Sequence, residues 1–471
     1  MLSSKINLKF FVSLCGFILC NNSFAWKNHA LITEYSIEKT NILINKPQVK
    51  TESLENFLNS TYSQIPAVLN KVDLWAIDKS QHNNFIFNPV PSDLKFTAVA
   101  GDPKIVEKFL VSLRINPTLK FPLYLQILPG EKTKENSVLI DNSEIFLKAI
   151  EKEVGEYKFA KLNEGEMVNS LAVLATASDE PDYGSDIHLF DDNEKEFNYK
   201  YQFGTQPFGN PNFAISSQAP FHMGFYHEAS LVYSVAGYLK KTYAEYRIKL
   251  NIELAELAFQ TGHPYWGLRF LGWALHYVQD LTQPYHNTPL PGYSTADLIG
   301  LNILDKLEGA LYKTNKKLSD TINVVSNRHF ILEKLVYEET VLAKENKNYN
   351  SIIINHMQNT SLDSNYPPFD DNYVRNVLTK QAVKFAKPTY GSYIFWKVNN
   401  DISSIIARSF PAEYSIDPKY IFQDSFPALQ ILNNQPEKQK IQMIDVTCNL
   451  MNNAGSHTRN VVKSVLDKIN F

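Results

Sequence analysis

The sequence predicts a mainly α-helical fold. Two observations carry that expectation. From Ala236 to Asp280, Tyr238, Leu239, Tyr243, Tyr246, Ile248, Leu250, Leu254, Leu257 and Ala258 recur near a 3.6-residue period with charges between them, and similar patterns return at 160–177, 295–318, 327–344 and 458–469. Strand-like alternation, by contrast, is confined to a few short runs.

The elements follow in order. Lys5 and Lys9 precede a mostly apolar run from Phe10 to Cys20, and Ser23-Phe24-Ala25 is a small-x-small cleavage site, so residues 1–25 are expected to be a secretory signal peptide and the mature chain to start at Trp26. The apolar run is too short to span a bilayer, and no later stretch approaches the roughly 20 apolar residues a spanning helix needs. A secreted or periplasmic protein without a transmembrane segment is expected. Residues 45–150 are mixed, with short strands expected at Phe85–Phe87, Leu123–Leu125 and Val138–Ile140 and a helix over 104–114, and this stretch reads as a long insertion in a helical domain covering 26–471. Met167, Leu171, Leu174 and Ala175 predict a helix over 160–177. Asn193 to Asn212, rich in Asn, Gly, Pro and aromatics, predicts a surface loop. Gly262 and Pro264 break the long periodic run, so one helix ends before them and a second runs from about Tyr265 to Asp280 and stops before Pro284. Ala454-Gly455-Ser456-His457-Thr458 predicts the start of the last helix, with His457 near its cap.

Composition narrows the function. The net charge is −3, and removing Lys5 and Lys9 takes the expected mature chain to about −5, without the basic stripe that usually marks nucleic-acid binding. Cys15 and Cys20 belong to the expected leader, so Cys448 is left alone and no intramolecular disulfide can form in the mature chain. The aromatic fraction of 13% serves core packing or an interfacial surface, and composition does not separate the two.

Two helical pairs and a histidine between them point to metal chemistry. His276 and Asp280 stand at i and i+4 on a predicted helix, so an imidazole and a carboxylate share one face. Pro284 turns the chain and lets His286 approach from another direction. His329 and Glu333 repeat the i, i+4 spacing on a later helix. Each pair alone is an ordinary helix-stabilising pair; their joint occurrence with an intervening histidine points to metal ligation, since neutral imidazole and ionised carboxylate suit zinc.

The run His276-Tyr277-Val278-Gln279-Asp280-Leu281-Thr282-Gln283-Pro284-Tyr285-His286 fits the pattern H-Y-x-x-D-x-x-Q-P-x-H and resembles the bacterial zinc-dependent phospholipase C family, whose superfamily includes fungal zinc-dependent single-strand nucleases. The resemblance implies a helical bundle of that type holding three Zn2+ ions. It implies that Trp26, through its amine and carbonyl oxygen, and His29 hold one zinc together with a shared Asp280. A second is implied for Asp179, His222, His276 and Asp280, and a third for His286, His329 and Glu333. Asp179 is chosen over Asp182, and His222 over His227; the acidic run Asp182, Asp186, Asp191 and Asp192 could instead form a solvated turn or a calcium loop, with His188 a competing ligand. The Asp-to-His separation and the gap from His29 to Asp179 are longer than in compact members of the family. The implied activity is a secreted phospholipase C cleaving the glycerol-side phosphodiester of phosphatidylcholine-like lipids at a membrane surface, with Asp179 orienting the attacking water or taking its proton. The alternatives are a single-strand nuclease with the same metal ligands and a binding protein with a relict site; the leading expectation has no nucleic-acid partner.

Overall fold

The computed structural model describes residues 26, 28–132, 137–150, 157–209, 213–312, 316–388, 399–417 and 426–469. The expected leader, residues 1–25, lies outside them. Among the described residues helix makes up 59% and strand 4%, so the core is built helix on helix and the strands serve only local pairing.

The chain opens with α1 (His29–Ile37), β1 (Gln48–Lys50), α2 (Leu54–Thr61), α3 (Ile65–His82) and α4 (Ile105–Ser112). Then come β2 (Tyr124–Ile127), β3 (Lys158–Lys161), β4 (Met167–Asn169) and α5 (Ser170–Asp179). Short α6 (Ala219–His222) and α7 (Ser230–Val235) lead into α8 (Ala244–Gln260) and α9 (Pro264–Asp280). The rest is α10 (Thr295–Tyr312), α11 (Lys316–Glu345), α12 (Ile352–Gln358), α13 (Thr379–Ala386), α14 (Ile402–Ser409), α15 (Ala412–Ser415), α16 (Ala428–Asn433) and α17 (Glu437–Ile469). Strands β1 and β4 pair antiparallel with Val49 opposite Val168, and β2 pairs antiparallel with β3 with Leu125 opposite Ala160.

Helix α9 is the axis of the fold. From Tyr265 to Asp280 every residue is buried, the pattern of a helix enclosed by others rather than lying on a surface. Pro264 occupies its first turn, where the missing N–H costs nothing. Helices α8 and α5 pack against it, and the α5 crossing is close: a Cβ on Gly272 would stand 2.5 Å from Ala177 Cβ and 2.9 Å from Leu174 O. Each large apolar side chain buried here contributes on the order of 1.5–3 kcal/mol.

The segment 45–150 packs into this same core. Phe57 stacks on Trp266 with ring centroids 6.1 Å apart, and Phe109 meets Phe270 at 6.1 Å. Its helix and the strand near Leu123–Leu125 form close to where expected, as α4 and β2. Phe85–Phe87 joins no strand; its rings pack on Tyr243 and Tyr246, and Ile86 N donates to Lys240 O at 3.0 Å. Val138–Ile140 is reduced to a single bridge at Leu139.

Other expectations need correction. The helix over 160–177 begins only at Ser170, where the Asn169 side chain accepts from Ala172 N; Gly165 at φ +80° turns the chain before it, and Met167 lies exposed on β4. The loop at 193–212 has no regular structure up to residue 209, yet Phe197, Tyr201, Phe203 and Phe208 are buried, so its aromatics fill the core. The helix expected over 327–344 is longer, as α11, which also takes in the end of the one expected over 295–318; the rest of that one is α10. The last helix begins at Glu437, not near Thr458. Gly455 marks no helix start: a Cβ there would fall 2.0 Å from Met357 O, so this position lets α17 touch α12. His457, in mid-helix, is buried with Nδ1 2.8 Å from the Tyr373 hydroxyl.

Candidate metal centre

Helix α9 delivers His276 and Asp280 from one turn to the next, both fully buried. Beyond its end the Gln283 side chain accepts from Tyr285 N at 2.8 Å and fixes the short turn Pro284–His286, which brings His286 back under α6. His222 ends α6. His29 opens α1, behind Asn28 in a left-handed conformation at φ 84°. Asp179 ends α5, and Asp182 lies on the 3-10 turn Glu180–Tyr183 that follows. His329 and Glu333 face each other one turn apart on α11, with His329 Nε2 2.6 Å from Glu333 Oε1.

Three histidines have their tautomers fixed by acceptors behind them. His276 Nδ1 lies 2.8 Å from Ser178 O, His286 Nδ1 2.8 Å from His222 O, and His29 Nδ1 2.9 Å from Gln279 Oε1. Gln279 Nε2 donates to Thr33 Oγ1, which sets the amide so that its oxygen faces His29. These acceptors take the proton on Nδ1, so in the neutral imidazole each Nε2 turns a lone pair toward the interior, the arrangement that orients histidine for a metal.

Those lone pairs converge. His276 Nε2 is 3.4 Å from Asp280 Oδ2 and 3.6 Å from Asp182 Oδ1. His29 Nε2 is 3.3 Å from Asp280 Oδ1. His222 Nδ1 lies 2.9 Å from Asp280 Oδ2, 3.0 Å from His276 Nε2 and 3.8 Å from Asp182 Oδ1. Three sets of side chains bring ligand atoms within 4.8 Å of one another: His29, His276 and Asp280; Asp182, His222 and His276; His286, His329 and Glu333. Buried Nε2 atoms of His29 and His286, Oδ1 of Asp182 and Oδ1 of Asp280 make no hydrogen bond among the described residues. Leaving such groups unpaired costs roughly 1–3 kcal/mol each, and a cation held between them removes that cost. The neutral-nitrogen and carboxylate donor set fits a metal ion such as zinc.

Electrostatics divide the candidate donors. Burial drives His276 well below the ordinary imidazole range, reinforced by His29, and takes His286 and His329 down to about 3, so His286 and His329 are neutral; burial also opposes the charge on His29, but Asp280, Asp182 and Asp179 outweigh it and raise that imidazole. Burial opposes ionisation of Asp280, but His276, His222 and His29 outweigh it and hold the carboxyl well below the usual range. Asp182 is pushed up to about 7 by burial, against the pull of His222 and His29. His222 rises to about 10 despite burial, because Asp186 and Asp280 face it.

Seven of the nine residues expected as ligands therefore stand in these sets: His29, His222, His276, Asp280, His286, His329 and Glu333. Asp179 does not. Its Oδ1 accepts from Ala30 N at 2.9 Å and so ties the end of α5 to α1, its buried Oδ2 makes no hydrogen bond among the described residues, and Asp182, one turn on, supplies the carboxylate facing His222 and His276. Trp26 is fully buried with its indole Nε1 3.1 Å from Gln279 O and 3.2 Å from Thr282 Oγ1, which pins the start of the described chain beside the end of α9. His227 points elsewhere, to Thr379 Oγ1 at 2.8 Å. Asp186 receives the Arg247 guanidinium on Oδ1 and the Tyr277 hydroxyl on Oδ2, and is thereby a buried structural ion pair rather than part of a solvated turn. Sequence reasoning passed over Gln279, although it lies inside the central motif; its role depends on α1 reaching α9. No protein-family model, curated protein or solved structure matches this chain.

Proposed function

We propose that this chain is a zinc-dependent phosphoric diester hydrolase of the phospholipase C type, acting on phosphatidylcholine-like lipids. The observation that carries the proposal is the sharing of His276 between two adjoining ligand sets, with Asp280 facing both and the set of His286, His329 and Glu333 linked to them through His222. A row of neighbouring cations suits phosphodiester cleavage, where attacking and departing oxygens both need charge stabilisation. Zinc bound there supplies Lewis-acid polarisation of the phosphoryl oxygens and lowers the pKa of water toward about 7.

The chain's own groups do the rest. Asp280 offers Oδ1 to the His29 side and Oδ2 to the His222 and His276 side. The backbone and amide acceptors behind His29, His276 and His286 hold their Nε2 lone pairs in place. Asp182 Oδ1 receives the proton of the attacking water, and Asp179 acts one step removed by fixing α1 to α5. In the same proposal Trp26 and His29 would hold an ion with Asp280, three zinc ions would be bound in all, and residues 1–25 direct export and are then removed. Among the described residues no helix is long and apolar enough to cross a membrane, so contact with the lipid substrate is proposed to be peripheral.

The deciding experiment offers purified mature protein phosphatidylcholine vesicles and, separately, single-stranded DNA, each with and without a chelator. Chelator-sensitive release of diacylglycerol with intact DNA is the expected result. DNA cleavage without lipid turnover replaces the lipase with a nuclease, and inactivity on both removes the proposal.

A further inference from the structure

Away from the histidine-rich centre, Ser60, His263 and Glu52 form a hydrogen-bonded chain. Ser60 Oγ lies 2.9 Å from His263 Nε2, and His263 Nδ1 lies 2.9 Å from both Glu52 Oε1 and Oε2. Three separate stretches supply the parts. Ser60 is an exposed residue in the last turn of α2, His263 precedes α9, and Glu52 follows β1. Glu52 is held in turn by Trp266, whose indole N–H donates to its carbonyl oxygen at 2.9 Å. The His263 ring sits edge-on to Phe57 at 5.4 Å.

The carboxylate accepts, so neutral His263 carries its proton on Nδ1 and presents a lone pair at Nε2 to the serine. The Ser60 hydroxyl hydrogen has two acceptors within reach, Phe57 O at 2.7 Å and His263 Nε2 at 2.9 Å, and rotation about Cβ–Oγ moves it from one to the other. Nucleophile, base and orienting carboxylate thus stand in hydrogen-bond order, the geometry by which an alcohol is activated for acyl transfer. Helix α9 begins directly after His263; the N–H groups of Tyr265 and Trp266 make no hydrogen bond among the described residues, and a helix start favours developing negative charge.

We propose that Ser60, His263 and Glu52 form a metal-independent nucleophilic site that hydrolyses exposed carboxylic esters. Ser60 Oγ bonds to the ester carbonyl carbon while its proton passes to His263 Nε2. The carbon–oxygen bond to the alcohol breaks and the alkoxide leaves with that proton. Water then adds to the acyl group on Ser60, giving a proton to Nε2; the acyl bond breaks, Ser60 Oγ recovers the proton, and the carboxylic acid departs. Glu52 keeps Nδ1–H in place throughout.

The site is independent of the zinc proposal, and the test keeps the two apart. The full chain is stripped with a chelator and given p-nitrophenyl acetate, then treated with a fluorophosphonate probe and mapped by mass spectrometry. Hydrolysis that survives chelation, with the adduct on Ser60, is expected. S60A should abolish both, H263A should lower the rate by about 10²–10⁴-fold, and E52Q should lower it less, with circular dichroism establishing that each variant is folded. An unlabelled Ser60 in the unmodified chain overturns the proposal without reference to any variant, and so does hydrolysis by S60A equal to that of the parent.

Discussion

His29 Nε2 meets Asp280 Oδ1 at 3.3 Å, although one residue opens the first described helix and the other closes α9. Neither oxygen nor nitrogen finds a hydrogen bond there among the described residues. The contact makes sense as two lone-pair donors sharing a cation. Replacing Asp280 with Asn keeps the shape and removes the charge, so D280N should lose bound zinc and chelator-sensitive hydrolysis together. Elemental analysis beside lipid turnover checks this; full turnover with reduced metal would contradict it.

Asp182 and Asp179 are one turn apart and have different surroundings. D182N removes the oxygen 3.6 Å from His276 Nε2 and should weaken zinc binding by about 10-fold or more, while D179N should act more mildly, through the α1–α5 tie at Ala30. Competition titration with a chromophoric chelator separates them, and equal losses would put Asp179 back among the ligands.

Acid should destabilise the metal-free protein. His286 and His329 sit near 3 in the fold against 6.5 when free, because burial disfavours the imidazolium. The unfolded chain therefore binds these protons first, and their contribution is whole above about 6.5 and lost as pH falls toward about 3. Asp182 works in the opposite sense: its value of about 7 lies above the free 3.8, so its contribution is whole below 3.8 and lost as pH rises through 7. The two effects offset one another partly down to about pH 4, and the loss should steepen below it. Denaturant midpoints from pH 7 to pH 3 measure this, and H329N should flatten the acid limb.

Gly272 sets how closely α5 lies on α9. A methyl group there meets Ala177 Cβ at 2.5 Å and backbone at 2.9 Å, neither of which can swing aside. G272A should destabilise the fold by about 1–3 kcal/mol and, by displacing the Asp179–Asp182 turn from His276, weaken zinc binding as well. Thermal unfolding and metal titration on the same sample test both; lost stability with unchanged affinity would detach the turn from the site.

The helical character was legible because α8 and α9 repeat apolar residues at helical spacing and Gly262 with Pro264 punctuates them. The central motif was legible because His276, Asp280 and His286 sit within one short stretch, and His329 with Glu333 needs only one helical turn. Asp182 was harder, since a short acidic run offers several carboxylates at similar spacings and only the path of the 3-10 turn after α5 selects among them. The chain Ser60, His263 and Glu52 gave no local signal, its members lying on three separate stretches.

By itself the sequence determined the periodic helices, the residue types able to ligate metal and their order along the chain, because backbone hydrogen bonding and side-chain spacing act over a few residues. Tertiary packing alone decided which carboxylate faces His222 and His276, which nitrogen of each histidine carries its proton, and that 45–150 shares its core with α9. Those outcomes depend on burial and on acceptors such as Ser178 O and Gln279 Oε1, which approach only once distant helices have closed on one another.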